Sequence, residues 1–127
     1  MPPIEPGSDL ASRRAEGLRI QLLGGFRVVL GKRVIEESEW RLRKAAGLLK
    51  LLALSERHQL HREQALELLW PDSDPKAAVN NLHGLLHALR RILRSDGQVV
   101  WLRLQGDVLS LGPVDQVWVD VRAFEAA

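Results

Sequence analysis

Two pairs of histidines stand at ligand-like spacings: His83 and His87 are four residues apart, and His58 and His61 three apart. A four-residue interval on a helix brings two imidazoles to one side, but a hydrolytic zinc site also wants a glutamate between them and a third ligand. Gly84, Leu85 and Leu86 fill that interval, and the chain has no cysteine. The carboxylates offer no better chemistry. Glu36, Glu37 and Glu39 fall in a polar loop and Asp72 and Asp74 in a turn, ordinary solvated positions rather than an acid–base pair in a pocket. "LLGGF" lacks the lysine and the following helix of a phosphate-binding loop. No metal, no cofactor and no enzymatic activity are expected.

The stretch "NNLHGLLHALRRILR", residues 80–94, carries a different chemistry. At 100° per residue, Val79, Leu82, Leu86, Leu89 and Leu93 gather on one side with Leu85 and Ile92 on a flank. The opposite side is centred on Asn80, Gly84, His87 and Arg91, flanked by Asn81, His83, Ala88, Arg90 and Arg94. Asparagine matches adenine edges, arginine matches guanine or phosphate, and glycine and alanine let a helix backbone sink into a major groove. A solvated face would usually carry glutamate, yet no acidic residue lies between Lys76 and Ser95. Contact with nucleic acid is the expectation, and a plain solvated or partner-facing surface the alternative.

Such a helix needs a scaffold. Leu18, Ile20 and Leu22 alternate with Arg19 and Gln21, and Phe26, Val28 and Leu30 follow Gly24-Gly25; Gly31-Lys32 then separates "FRVVL" from "RVI". This is the period of strands joined by a tight turn, an antiparallel meander. From about Arg41 the period becomes helical: Leu42, Ala45, Leu49 and Leu52 form a stripe that Ala46, Leu48 and Ala53 widen. The loop "SERHQ" leads to a second helix with Ala65, Leu66, Leu68 and Leu69 as apolar positions. His61 stands at its N-cap, Gln64 in the reciprocal position, and Pro71 beyond its end. Asp74 and Pro75 open the third helix, 75–94. After the turn at 95–97, "VVWLRLQGDVLSL" alternates, with Val100, Leu102 and Leu104 on one side, Trp101, Arg103 and Gln105 on the other, and Gly106-Asp107 as the hairpin turn. Trp40, Trp70, Trp101 and Trp118 read as packing residues, with stacking of Trp101 on a sugar as a weaker alternative.

Length and composition agree with one small domain. The chain is 46% apolar and 27% charged with a formal charge of +2, an ordinary globular balance in which no apolar run approaches a membrane span and no secretory leader is evident. A cytoplasmic location is expected. Charge is distributed in blocks: residues 40–62 hold six Lys or Arg against one acid, 63–75 none against four, and 76–103 five against one.

The blocks "LRIQLLGGFRVVLGKRVI", "RLRKAAGLLKLLAL", "HREQALELLWPDSDPKAAVNNLHGLLHALRRIL", "LRLQGDVLSL" and "VDVRAFEAA", in this order, resemble the DNA-binding domain of the SARP family (Streptomyces antibiotic regulatory proteins) and their larger AfsR-type relatives. The resemblance covers roughly residues 18–125. It implies an α+β winged helix-turn-helix of the OmpR/PhoB type: an N-terminal antiparallel sheet, three helices and a C-terminal β-hairpin wing. The implied domains are a disordered tail (1–17), the winged helix (18–112), and a linker (113–127) opening a truncated or absent bacterial transcriptional activation domain.

The resemblance implies a transcriptional regulator whose third helix enters the major groove of double-stranded DNA. Asn80, Asn81, Gly84 and His87 would face bases; Arg43, Lys44, Arg62, Arg91, Arg94 and Arg103 would meet phosphates. The loop of Trp70, Asp72, Ser73 and Asp74 is where domains of this type touch RNA polymerase, and its acidity suits a basic protein. Copies would be monomeric in solution and pair on direct repeats, without a membrane. Asp107 at the hairpin tip, with only Arg103 and Gln105 nearby, is poor chemistry for a minor groove, so a small contribution from the wing is expected. The competing reading is a winged helix that binds a protein. Salt dependence separates the two, because each phosphate contact on duplex DNA costs roughly 0.9 log unit of affinity per log unit of salt.

Overall fold

The computed structural model describes residues 17–35, 37–40, 43–94 and 100–121. Of the expected tail (1–17) all but Gly17 lies outside them, as do Glu36, Leu42, the turn at 95–97 and the last residues, 122–127. The protein is α+β, with strands both before and after its helices. Strands β1 (Leu18–Gln21), β2 (Arg27–Leu30) and β3 (Arg33–Ile35) form the antiparallel meander that the alternation predicts. Their inward residues Leu18, Ile20, Val28, Leu30 and Ile35 are all buried. Gly31 opens the two-residue loop at φ +62°, a left-handed conformation that costs a side-chain-bearing residue energy and glycine nothing.

Helix α1 (Arg43–Leu54) buries Ala45, Ala46, Leu48, Leu49, Leu52 and Ala53, as the widened stripe requires of an element with neighbours on several sides. It touches both other helices, α2 (Arg62–Leu69) and α3 (Pro75–Ile92). Between α1 and α2 the chain does more than loop. After a tight turn in which Arg57 and His58 both take positive φ, Gln59–His61 form β4. Strands β5 (Leu102–Gln105) and β6 (Val108–Leu111) make the expected hairpin on Gly106-Asp107, and β4 pairs antiparallel with β6 to give a three-stranded sheet. The last strand, β7 (Val117–Val119), lies parallel to β1 and completes a sheet of order β3-β2-β1-β7. Residues 113–127, which read in the sequence as a short extended segment as well as a linker, thus contribute a strand to the sheet.

Asp120 locks that closing strand in place. Its carboxylate accepts from the N–H of Leu22 (2.8 Å), Leu23 (2.9 Å) and Val121 (2.8 Å). Burial works against its charge, but these backbone N–H groups outweigh it and hold the carboxyl below the ordinary value of 3.8.

Three apolar assignments need correction: the sides given to Val100 and Trp101, the place of Leu68, and Trp118, which reads as a packing residue but is 44% exposed. Trp101 is buried, 2% exposed, whereas Val100 is exposed: the strand begins only at Leu102, so alternation does not extend back to these residues. Trp101 has no face left for a sugar. Leu68, expected in the apolar face of α2, is exposed, because that eight-residue helix buries only Ala65 fully and half-buries Leu66 and Leu69. Among the described residues, no helix is long and apolar enough to cross a membrane.

Candidate nucleic-acid interface

Helix α3 is split cleanly between core and solvent. Ala78, Leu82, Leu85, Leu86 and Leu89 are buried, followed by Leu93 just past the last turn, while Val79 and Ile92 are half-buried. On the other side Asn80, Asn81, His83, Gly84, His87, Arg91 and Arg94 are all exposed. The helix itself contains Lys76, Arg90 and Arg91 and no carboxylate. The cations near its C-terminal end also meet the negative end of the helix dipole, a favourable placement within the fold. Gly84 sits mid-helix, where glycine costs roughly 0.5–1 kcal/mol relative to alanine. A Cβ built there would meet nothing within 4 Å, so the domain's own packing does not require the small residue.

Both ends of α3 are held by specific contacts. At the start, Asp74 occupies the N-cap position and Pro75 the first turn as expected, but the cap is a backbone one: Asp74 carbonyl accepts from Ala78 N–H at 2.9 Å, and its side chain makes no capping bond. At the far end, Arg33 of β3 donates through Nη2 to the carbonyls of Ile92 (2.8 Å) and Arg94 (3.0 Å), while its Nη1 lies 3.5 Å from Glu39. Arg90 donates to Leu102 carbonyl at 3.2 Å, tying the helix to β5. These clamps join residues too far apart in the chain for any local pattern to reveal them.

The six cations expected to meet phosphates divide into two groups. Arg43 at the start of α1, Arg91, Arg94 and Arg103 on β5 present exposed side chains with no ion-pair partner among the described residues. Lys44 and Arg62 are occupied within the fold. Lys44 Nζ hydrogen-bonds to the Leu69 carbonyl at the end of α2 and lies over the ring of Trp70, 4.9 Å from its centroid. Arg62 Nη2 lies 3.2 Å from Asp107 Oδ1, and Arg62 N–H donates to Asp107 carbonyl at 2.7 Å. The reciprocal cap read from His61 and Gln64 is present and brackets Arg62: Glu63 N–H donates to His61 Nδ1 at 3.2 Å, and His61 N–H to Gln64 Oε1 at 3.3 Å.

The loop between α2 and α3 begins at Trp70, half-buried and fixed by its N–H to Leu66 carbonyl at 2.9 Å, and then exposes Asp72, Ser73 and Asp74. Among the described residues, no three His, Asp or Glu side chains come together in a way that could hold a metal ion. His61 is committed to its cap. No family model, curated protein or solved structure matches this chain.

Proposed function

We propose that this protein is the sequence-specific, double-stranded DNA-binding module of a bacterial transcriptional regulator, acting in the cytoplasm as a winged helix-turn-helix of the OmpR/PhoB kind. The observation that carries this reading is the exposed side of α3: amide, imidazole and guanidinium groups along one stripe, no carboxylate, and an unneeded glycine at its centre. In this reading α3 lies in the major groove, with Asn80, Asn81, Gly84 and His87 toward base edges. Arg43, Arg91, Arg94 and Arg103 take phosphates, which orient the domain without reading sequence. The β5–β6 hairpin is the wing, and the meander with β7 is the platform behind α1 and α3. The exposed Asp72 and Asp74 suit a basic protein surface such as RNA polymerase better than DNA.

The test is selection of bound duplexes from a random pool, followed by affinity for the winner across a salt series. Four free arginines predict a slope of log affinity on log salt of about −3.6. A slope near zero, with no enriched sequence, would overturn this reading in favour of a module that binds protein.

A further inference from the structure

The cation that opens α2 faces an anion supplied by the same chain. Asp107 stands at the tip of the β5–β6 hairpin, and the pairing of His61 with Val108 brings that tip against Arg62. Two contacts hold the pair: the 2.7 Å backbone bond from Arg62 N–H to Asp107 carbonyl, and the 3.2 Å ion pair between the side chains. The two contacts separate by chemistry. The first fixes where the hairpin tip sits and does not depend on what the side chain at 107 is; the second depends entirely on its charge.

The side-chain contact runs from Arg62 Nη2 to Asp107 Oδ1 at 3.2 Å. Arg62 Nε is buried without a hydrogen-bond partner among the described residues. The Arg62 side chain keeps 34% of its surface and that of Asp107 59%, so both are reachable from solvent. A phosphate oxygen approaching Arg62 must displace the carboxylate or sit beside a second negative charge.

We propose that Asp107 is a built-in counter-anion that withholds Arg62 from the DNA backbone. It thereby sets how much sequence-independent phosphate affinity the domain carries relative to the base contacts of α3. The proposal rests on the DNA-binding reading above and names a restraint within that same surface. Phosphate contacts act on every sequence alike, so removing one from the balance lowers the background against which a preferred site is found.

The experiment is a double-mutant cycle on random-sequence duplex DNA, with wild type, Asp107→Asn, Arg62→Ala and the double variant measured across a salt series. Asp107→Asn keeps the side-chain shape and the backbone carbonyl, so the hairpin tip stays in place. It is expected to bind more tightly than wild type, with a salt slope steeper by about 0.9, so that its advantage shrinks about 3.5-fold between about 50 and about 200 mM salt. In the Arg62→Ala background the same substitution should give no steeper slope. An equal gain in both backgrounds would mean that Asp107 acts only as a distant charge, and would overturn the proposal while leaving the DNA-binding reading intact. An Asp107→Asn slope equal to that of wild type would do the same. If wild type shows no salt-dependent binding to duplex DNA, the DNA-binding reading itself falls, and the restraint with it.

Discussion

Arg33 closes the C-terminal end of α3 from outside the helix: its Nη2 donates to the Ile92 carbonyl at 2.8 Å. The last carbonyls of a helix have no partner within it, and a cation there also meets the negative end of the dipole. The same nitrogen reaches Arg94 carbonyl, so one guanidinium spans the helix end and the residue beyond it. Arg33→Ala should destabilise the domain by about 1 kcal/mol, a modest figure because the side chain is 44% exposed. Arg33→Lys should lose part of that, since a single ammonium replaces a planar fork. Urea denaturation of the three proteins checks the order, and equal midpoints would show that the clamp carries no stability.

On the side of α3 proposed to face the groove, Asn81→Ala should flatten the sequence preference, costing about 1–3 kcal/mol on the selected site while leaving binding to random duplex nearly intact. Gel shifts on both DNAs decide it. Equal loss on the two would move Asn81 from base reading to general contact.

Gly84→Ala separates the needs of the helix from those of its ligand. Open space around the missing Cβ means that the substitution should stabilise the free protein by about 0.5–1 kcal/mol. Affinity for the selected site should fall at the same time, because the added methyl holds the helix backbone away from the bases. A variant that melts higher and binds as well as wild type would show that the backbone never approaches the groove closely.

Leu86 is 1% exposed at the centre of the buried side of α3. Leu86→Ala should cost about 2–5 kcal/mol, combining lost burial with the cavity left behind. Chemical denaturation reads this directly, and a change within about 0.5 kcal/mol would be inconsistent with the rotation of the helix described above.

Acid should weaken the domain through Asp120. The folded protein holds this carboxyl below 3.8, so the unfolded chain takes up a proton more readily as the pH falls. The contribution of Asp120 is therefore fully present above the ordinary carboxylate range and is lost as the pH drops through 3.8 toward the lower folded value. Asp120→Asn should be less stable than wild type at neutral pH, and the two should converge on acidification. Denaturation midpoints at several pH values between about 5 and 2 test this; parallel curves would assign the acid sensitivity elsewhere.

The parts of this molecule legible in the sequence are those whose determinants are local. The 3.6-residue period of α3 separates Leu82, Leu86 and Leu89 from Asn80, Gly84 and His87 without reference to anything else in the chain, and the structure buries the first set and exposes the second. Gly31 and Gly106 mark their hairpins because a two-residue turn demands a particular backbone conformation. What escaped depends on distant partners. Strand β4 lies where the sequence reads as loop and helix start, and exists because β6 offers it an edge; the segment that forms β7 reads as extended, but nothing local names β1 as its parallel partner. Arg62 read as a free cation because Asp107, its counter-charge, lies far along the chain and only the β4–β6 pairing brings the two together.

The parallel pairing of β1 with β7 has a consequence for how the protein is made. Asp120 is 98 residues from the Leu22 amide that it caps. At a synthesis rate of roughly 5–20 residues per second, about 5–20 s pass between the appearance of the first strand and that of its parallel neighbour. Throughout that interval β1 presents a bare edge to the crowded surroundings of the ribosome, a template for stray strand pairing. The helices can form and collapse against the meander meanwhile, so the growing chain spends those seconds as an open-sided sheet, shielded only by whatever reaches that edge first.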